Sequence, residues 1–276
     1  MNAGRTRRLA LGTALLLASA LFFLPQLWLL ALSLKTKAGV YEYPPRLVSP
    51  DSSLANYLFV FTQTQVPWYL WNSAKVAVLA TALTLLMGVP AALVLSRERF
   101  PRREGAVTAL LAVQMVSPMV LLVPIYGLVA GLRLLDTHAG LVLVYASVQL
   151  PFTISVLKSF FDALPSSVLE AARLDGASRL RTLRQVVLPL AAPGLAAVAI
   201  FDLASYWAEF SIALVLLDSQ SRFTIPVGLF SFQSGYETDW HLVAAASFIG
   251  LVPVMAAFVL LQRYFVAGLT AGAVKG

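Results

Sequence analysis

Six stretches of this chain are each long and apolar enough to cross a bilayer, and no other feature limits its fold as tightly. They run near Leu9 to Leu34, Val76 to Ser96, Gly105 to Leu132, Ala139 to Leu157, Val187 to Leu217 and Leu242 to Leu261. Crossing the hydrocarbon takes about 20 mostly apolar residues in a helix. Charged residues make up only 12% of the 276 and hydrophobic residues 59%, whereas a soluble domain carries roughly 25% charged residues to cover its surface. The apolar residues fall in blocks and not in a 3.6-residue stripe, which places them in lipid and not in one central core. The fold class that follows is all-α, a polytopic membrane protein of six transmembrane helices.

Interior prolines stand in these blocks at Pro25, Pro90, Pro118, Pro124, Pro151, Pro193 and Pro253. Membrane helices tolerate them because neighbouring helices and hydroxyls re-satisfy the freed carbonyls, so kinked spans are expected. Arg5, Arg7 and Arg8 ahead of an apolar run containing Ala18-Ser19-Ala20 have the look of a secretory signal. The run continues to Leu34 and five more follow, which argues for an uncleaved first helix.

The net charge of +7 takes its meaning from where the basic residues sit. Fourteen of the 20 Lys and Arg fall before span one, between spans two and three, between four and five, and after six; the other six lie on the opposite side. By the positive-inside rule both termini and the Lys158 to Val186 loop are expected in the cytoplasm of a multi-pass inner-membrane protein, with lipid and not nucleic acid as the partner of the positive charge. Residues 35 to 70 and 218 to 241 are rich in Pro, Tyr, Trp, Ser and Gln, which suits an interfacial, water-facing surface. With no repeat and no linker in view, residues 1 to 276 are assigned to a single domain. Cysteine is absent, which excludes disulfides, thiolate metal sites and cysteine nucleophiles.

The loop after span four, from about residue 162 to 189, reads as two short helices joined at a glycine. Ser167 and Glu170 have capping-box spacing, Ala171 and Ala172 are strong helix formers, and Gly176 is placed to end the helix in a left-handed conformation. Ser178 then caps a second helix with Leu180, Leu183 and Val187 on one face. A charged hairpin of this length exceeds what a connection needs and suits docking.

The same segment resembles the permeases of ABC importers, whose cytoplasmic pattern is Glu-Ala-Ala, three residues, Gly, nine residues, then Ile-x-Leu-Pro. Glu170, Ala171, Ala172, Gly176, Val186, Leu188 and Pro189 fall on those positions, with Val186 in place of the Ile. Leu95 to Pro101 is similar to the family's second cytoplasmic loop, and residues 262 to 276, with Gln262, Arg263, Gly268 and Lys275, to the tail of the carbohydrate-uptake branch, as in the maltose-type G permease subunits. The resemblance implies the type I importer permease fold, with the hairpin held in a cleft of a separate ATPase. Glu170, Ala171, Ala172, Leu174, Asp175, Gly176, Leu188 and Pro189 would then form the coupling surface, and Gln262, Arg263, Gly268 and Lys275 a tail contact. It also implies a second homologous permease, two ATP-binding subunits that carry ATP and Mg, and an extracytoplasmic binding protein. This chain would be a transport subunit and not an enzyme, with no cofactor of its own.

Ionisable groups within a span are costly, which makes Asp202 and Glu209 candidates for the substrate path. Seven residues apart, they are expected on one helix face, with Ser205 nearby and Tyr206, Trp207 and Phe210 around them. Tyr145 and Gln149 on span four face the same path in this reading. Carboxylates, hydroxyls and aromatic rings suit a sugar, which binds through its hydroxyls and its apolar ring faces. Trp207, Glu209 and Phe210 also resemble a Trp-Asn-Glu-Phe segment common in the family, where a helix-packing role is the alternative. No Gly-x-x-x-x-Gly-Lys-Ser/Thr phosphate loop occurs, and neither His138 nor His241 has a metal-ligand partner at helical spacing. A stand-alone secondary transporter or channel is the competing function, though no internal duplication is seen.

Overall fold

The elements that place the hairpin and the polar interior are helices throughout. The computed structural model describes residues 3–98, 100–232 and 238–273, the side chains of 3–10, Arg173 and 261–273 excepted. In chain order they are α1 (Ala3–Ser33), α2 (Lys37–Val40), α3 (Ala55–Gln63), α4 (Val66–Arg97), α5 (Arg103–Gln114), α6 (Pro118–Gly131), α7 (His138–Asp162) and α8 (Ser166–Leu174). After these come α9 (Arg179–Leu190, with a π turn at Leu183–Val187), α10 (Ala192–Ala208), α11 (Ser211–Leu216), α12 (Ile225–Ser231) and α13 (Trp240–Ala273). Four helices are long and apolar enough to span a membrane singly, and the bent pairs α5–α6 and α9–α10 bring the number to six among the described residues.

Two of the six blocks are therefore broken spans. The pair α5–α6 turns by 98° because Pro118 opens α6 and drives the preceding Ser117 into extended backbone at ψ 130. The pair α9–α10 turns by 79° at Ala191, where Pro193 sits at the second position of α10. Pro25, Pro90, Pro151 and Pro253 stay inside continuous helices. The last span does not stop at Leu261: the backbone is helical to Ala273, so Gln262, Arg263 and Gly268 continue it, while Lys275 lies outside the described residues.

The chain packs as two compact units. The first comprises residues 1–67 and 228–252. Here α1 presents Leu15, Leu16, Leu17, Leu21 and Phe22 outward, as a lipid-facing span must. Its C-terminal carbonyls are closed by Asn56, whose Nδ2 donates to the carbonyls of Ser33 and Lys35 at 2.8 Å each. Ser33 shares a 2.6 Å hydrogen bond with the Tyr57 hydroxyl, and Tyr57 meets Phe248 edge to face.

The second unit comprises residues 68–227 and 253–276 and holds two cores strung along α4 and α7. One gathers Val76, Ala77 and Ala80 with Leu141, Tyr145, Tyr206 and Ile212. The other gathers Val89, Ala92 and Leu95 with Leu157, Phe161 and Val187. Gly194 brings α10 close to α7: a Cβ there would lie 2.5 Å from Phe160 Cγ, the small-residue contact that membrane helices favour.

Candidate coupling hairpin and translocation path

At one end of the second unit α8 and α9 form the expected hairpin. Gly176 has φ +74, a conformation that an L side chain enters at a cost of about 1–2 kcal/mol. The amide of Ala177 donates back to the carbonyl of Ala172 at 3.0 Å, the six-to-one bond of a Schellman ending. Ser178 caps α9 by accepting from the amide of Arg181 at 3.4 Å. The first cap differs from expectation. Because α8 begins at Ser166, Ser167 stands inside the first turn and not ahead of it, so the Ser167 and Glu170 capping box is not the cap of this helix.

That geometry leaves Glu170, Ala171, Asp175, Gly176 and Pro189 exposed, with Leu174 88% exposed at the tip. Ala172 turns inward and is buried, and Leu188 is half-buried against the second core. The hairpin thus offers a carboxylate, a large apolar side chain and a second carboxylate on one outer edge.

The polar interior is arranged differently from the sequence expectation. Asp202 and Glu209 do not share a helix face: α10 ends at Ala208, and Glu209 has extended backbone at ψ 127. Its carboxylate caps the next helix, accepting from the amides of Ile212 at 2.8 Å and Ala213 at 3.1 Å. The Tyr145 hydroxyl donates to the same carboxylate at 2.7 Å. Within hydrocarbon an open helix end would leave unpaired N–H groups at a cost of several kcal/mol each. Glu209 is the residue that makes this break tolerable.

The rings of Tyr145 and Tyr206 stack with centroids 5.3 Å apart. The Tyr206 hydroxyl meets that of Thr84 at 2.7 Å. Since Thr84 already donates to the carbonyl of Ala80, Tyr206 is the donor of the pair. Asp202 is fully buried and takes the hydroxyl of Thr153, 3.1 and 2.9 Å from its two oxygens. Trp207 is buried and Phe210 packs against the first core.

Of the eight path candidates, Gln149 and Ser205 line a cavity of about 660 Å³ between α5–α6, α7 and α10. Asp202, Tyr206, Trp207, Glu209, Phe210 and Tyr145 are not among its lining residues. The cavity adds Gln114, Ser147, Phe152 and Phe201, which sequence reasoning missed. A signal for two of them existed, since Ser147 and Phe152 recur with Gly140, Leu143, Val144 and Val148 at helical spacing along α7. The size suits a small solute, and amides, hydroxyls and two aromatic rings converge on an otherwise apolar wall.

The opposite end of the unit is tied by Asp136. Its carboxylate accepts from the amides of Asp218 and Ser219 at 3.1 and 3.0 Å, from the Ser219 hydroxyl at 2.5 Å, and from Arg222 at 3.2 Å. Burial pushes this carboxyl upward, but the Ser219 and Asp218 donors and the Arg222 charge outweigh it and hold the group below its ordinary value. Nearby, His138 Nε2 contacts the carbonyl of Arg222 at 2.9 Å, and no cluster of metal-ligating side chains occurs among the described residues.

Known proteins match this chain over nearly its whole length. It is 36% identical over 266 residues to the sulfoquinovosyl glycerol transport system permease protein SmoH of Agrobacterium fabrum, covering 96% of this chain and 93% of that one. It is 33% identical to the diacetylchitobiose uptake system permease protein DasC of Streptomyces coelicolor, covering 96% and 95%. Its fold superposes on a chain of a bacterial ABC transporter involved in import of the acidic polysaccharide alginate, with a TM-score of 0.82 at 22% identity over 96% of this chain and 98% of that one. Residues 84–270, which include the hairpin, both broken spans and the polar interior, match the family model for binding-protein-dependent transport system inner membrane components, and the chain belongs to that family.

Proposed function

We propose that this chain is one half of the translocation pathway of an ATP-driven importer for a sugar or a related polyol or oligosaccharide. The hairpin carries the proposal: a Schellman-closed pair of helices holds Glu170, Leu174 and Asp175 outward at one end of an apolar bundle. In this reading a separate ATP-binding subunit seats those residues in a cleft, and closure of two such subunits on ATP and Mg displaces the hairpin. A second homologous permease supplies the other half of the path, and an extracytoplasmic binding protein delivers the cargo. Both termini and the hairpin face the cytoplasm, in keeping with Arg97, Arg102, Arg103, Lys158 and Arg179 around the hairpin end. The chain performs no chemistry and holds no cofactor.

The cavity bounded by Gln114, Ser147, Gln149, Phe152, Phe201 and Ser205 is the part of the path nearest the cargo, its polar groups suited to hydroxyls and its rings to the faces of a sugar. Membership of a binding-protein-dependent family disfavours the competing stand-alone transporter or channel. The experiment is a tagged purification of the chain with the products of its neighbouring genes. The recovered binding protein is then titrated with sulfoquinovosyl glycerol and diacetylchitobiose. Recovery of an ATPase and a second permease, with saturable binding of a glycoside, is the expected result. A chain that purifies alone and transports in liposomes contradicts the proposal.

A further inference from the structure

α7 ends at Asp162 with no basic residue in its last turn, although the free carbonyls of a helix C-terminus favour a cation there. That cation comes from another helix. Arg97, the last residue of α4, directs Nη2 at the carbonyl of Phe161 and at the carbonyl of Leu164, 2.6 Å away. These two carbonyls flank the elbow by which α7 leads into α8. Beside them Ser96 donates to Asp162 at 2.6 Å, and Glu98 lies 3.7 Å from Arg179 at the start of α9. The latter pair is exposed, so it adds little by itself.

Next to this clamp α4 and the hairpin do not close on one another. A cavity of about 280 Å³, lined by Val94 and Leu93 of α4 and by Leu169, Leu180 and Leu183 of the hairpin, lies between them. The hairpin is thus bonded to the end of α4 at its elbow, with space beside it.

We propose that Arg97 is a positioning residue for coupling: it fixes the elbow of the hairpin to α4, so that displacement of the hairpin rocks about this point and is passed to the α4–α7 pair. The inference rests on the reading of the hairpin as the ATPase-driven element. A guanidinium suits the role, since it is always charged and the two N–H groups of its planar Nη2 reach both carbonyls. Packed interfaces respond to such a push by moving between discrete arrangements, which is how a small displacement reaches the cavity.

The test uses the absence of cysteine in this chain, so that with cysteine-free partner subunits an introduced thiol reports alone. In the purified full complex in liposomes, Ser205→Cys in the cavity wall is labelled with a maleimide, with and without ATP and vanadate. With Arg97 intact, the labelling rate follows nucleotide. In Arg97→Gln the partner subunits still hydrolyse ATP, while the nucleotide response of Ser205→Cys falls by about two- to thirty-fold, the range of single-residue effects on coupling. Arg97→Lys, which keeps the charge and donors, restores part of it. An undiminished response in Arg97→Gln overturns the role of Arg97 and leaves the lever reading intact, whereas no response with Arg97 intact overturns the lever reading itself. If Arg97→Gln fails to reach the membrane, spin-label pairs in the Arg97 protein decide. The Val94 and Leu180 pair across the cavity must change distance with ATP and vanadate, and the Val94 and Ala163 pair beside the clamp must hold. Equal shifts in both pairs, or none in either, overturn the proposal.

Discussion

Glu209 accepts three hydrogen bonds at once, from Tyr145, Ile212 and Ala213. A hydrogen bond of this kind is worth about 0.5–1.5 kcal/mol net, and a buried donor left unmatched costs about 1–3. Glu209→Ala is therefore expected to lower the unfolding free energy of the detergent-purified protein by about 2–4 kcal/mol, with Glu209→Gln intermediate because its amide keeps one acceptor oxygen. Equal thermal stability of the Ala variant and its parent would sink the capping role. Asp136 gives a pH-dependent counterpart. Its folded pKa is depressed, so its contribution is fully present above the unfolded carboxylate value of about 4 and is lost as pH falls through the lower folded value. The melting-temperature gap between the parent and Asp136→Asn should stay constant from neutral pH down to about pH 5 and then narrow. A gap unchanged to about pH 2 would contradict it. Sequence reasoning marked Asp202 and Glu209 as unusual because a charge in a span is costly. What each one does was not legible, since the partners Thr153 and Tyr145 stand 49 and 64 positions away along the chain.

Within single elements, local chemistry was readable where it involves neighbours in sequence. Gly176 and Ser178 stand in the conformations their residue types favour, and the hairpin follows from them. Ser167 misled because its spacing to Glu170 fits a cap, while the chain after Pro165 enters the helix one residue earlier. The bends were only half legible. Proline marked where α5–α6 and α9–α10 turn, but α10 ends at Ala208 with no proline beside Glu209, whose carboxylate caps α11 locally and takes one further bond from the distant Tyr145. At this scale Gly176→Ala is expected to weaken the hairpin by about 1–2 kcal/mol, because alanine must enter the left-handed region. Gly176→Pro cannot adopt φ +74 at all and is expected to abolish uptake while membrane insertion and protein level persist. Normal uptake by that variant would remove the hairpin from the mechanism.

Within the second unit, a hydrogen-bonded polar interior lies between two tied ends. Asp136 ties one end and Arg97 the other, and the α4–α7 pair runs through both cores between them. The cavity lies along this pair's neighbour α10, and its wall residue Ser205 is one turn from buried Asp202. Filling it should block passage without disturbing the fold: Ser205→Trp is expected to reduce uptake by at least about tenfold, a barrier of about 1.4 kcal/mol, with ATP hydrolysis retained. Unreduced uptake would place the path elsewhere. The central claim is that a separate ATPase grips the hairpin, and Leu174 at its exposed tip tests it directly. With Leu174→Cys as the only thiol, a short cross-linker applied to inside-out vesicles should join this chain to a co-expressed ATP-binding subunit, in a yield that changes with ATP. Labelling of the same cysteine by an impermeant maleimide from outside intact cells, with no ATPase cross-linked, would contradict the account.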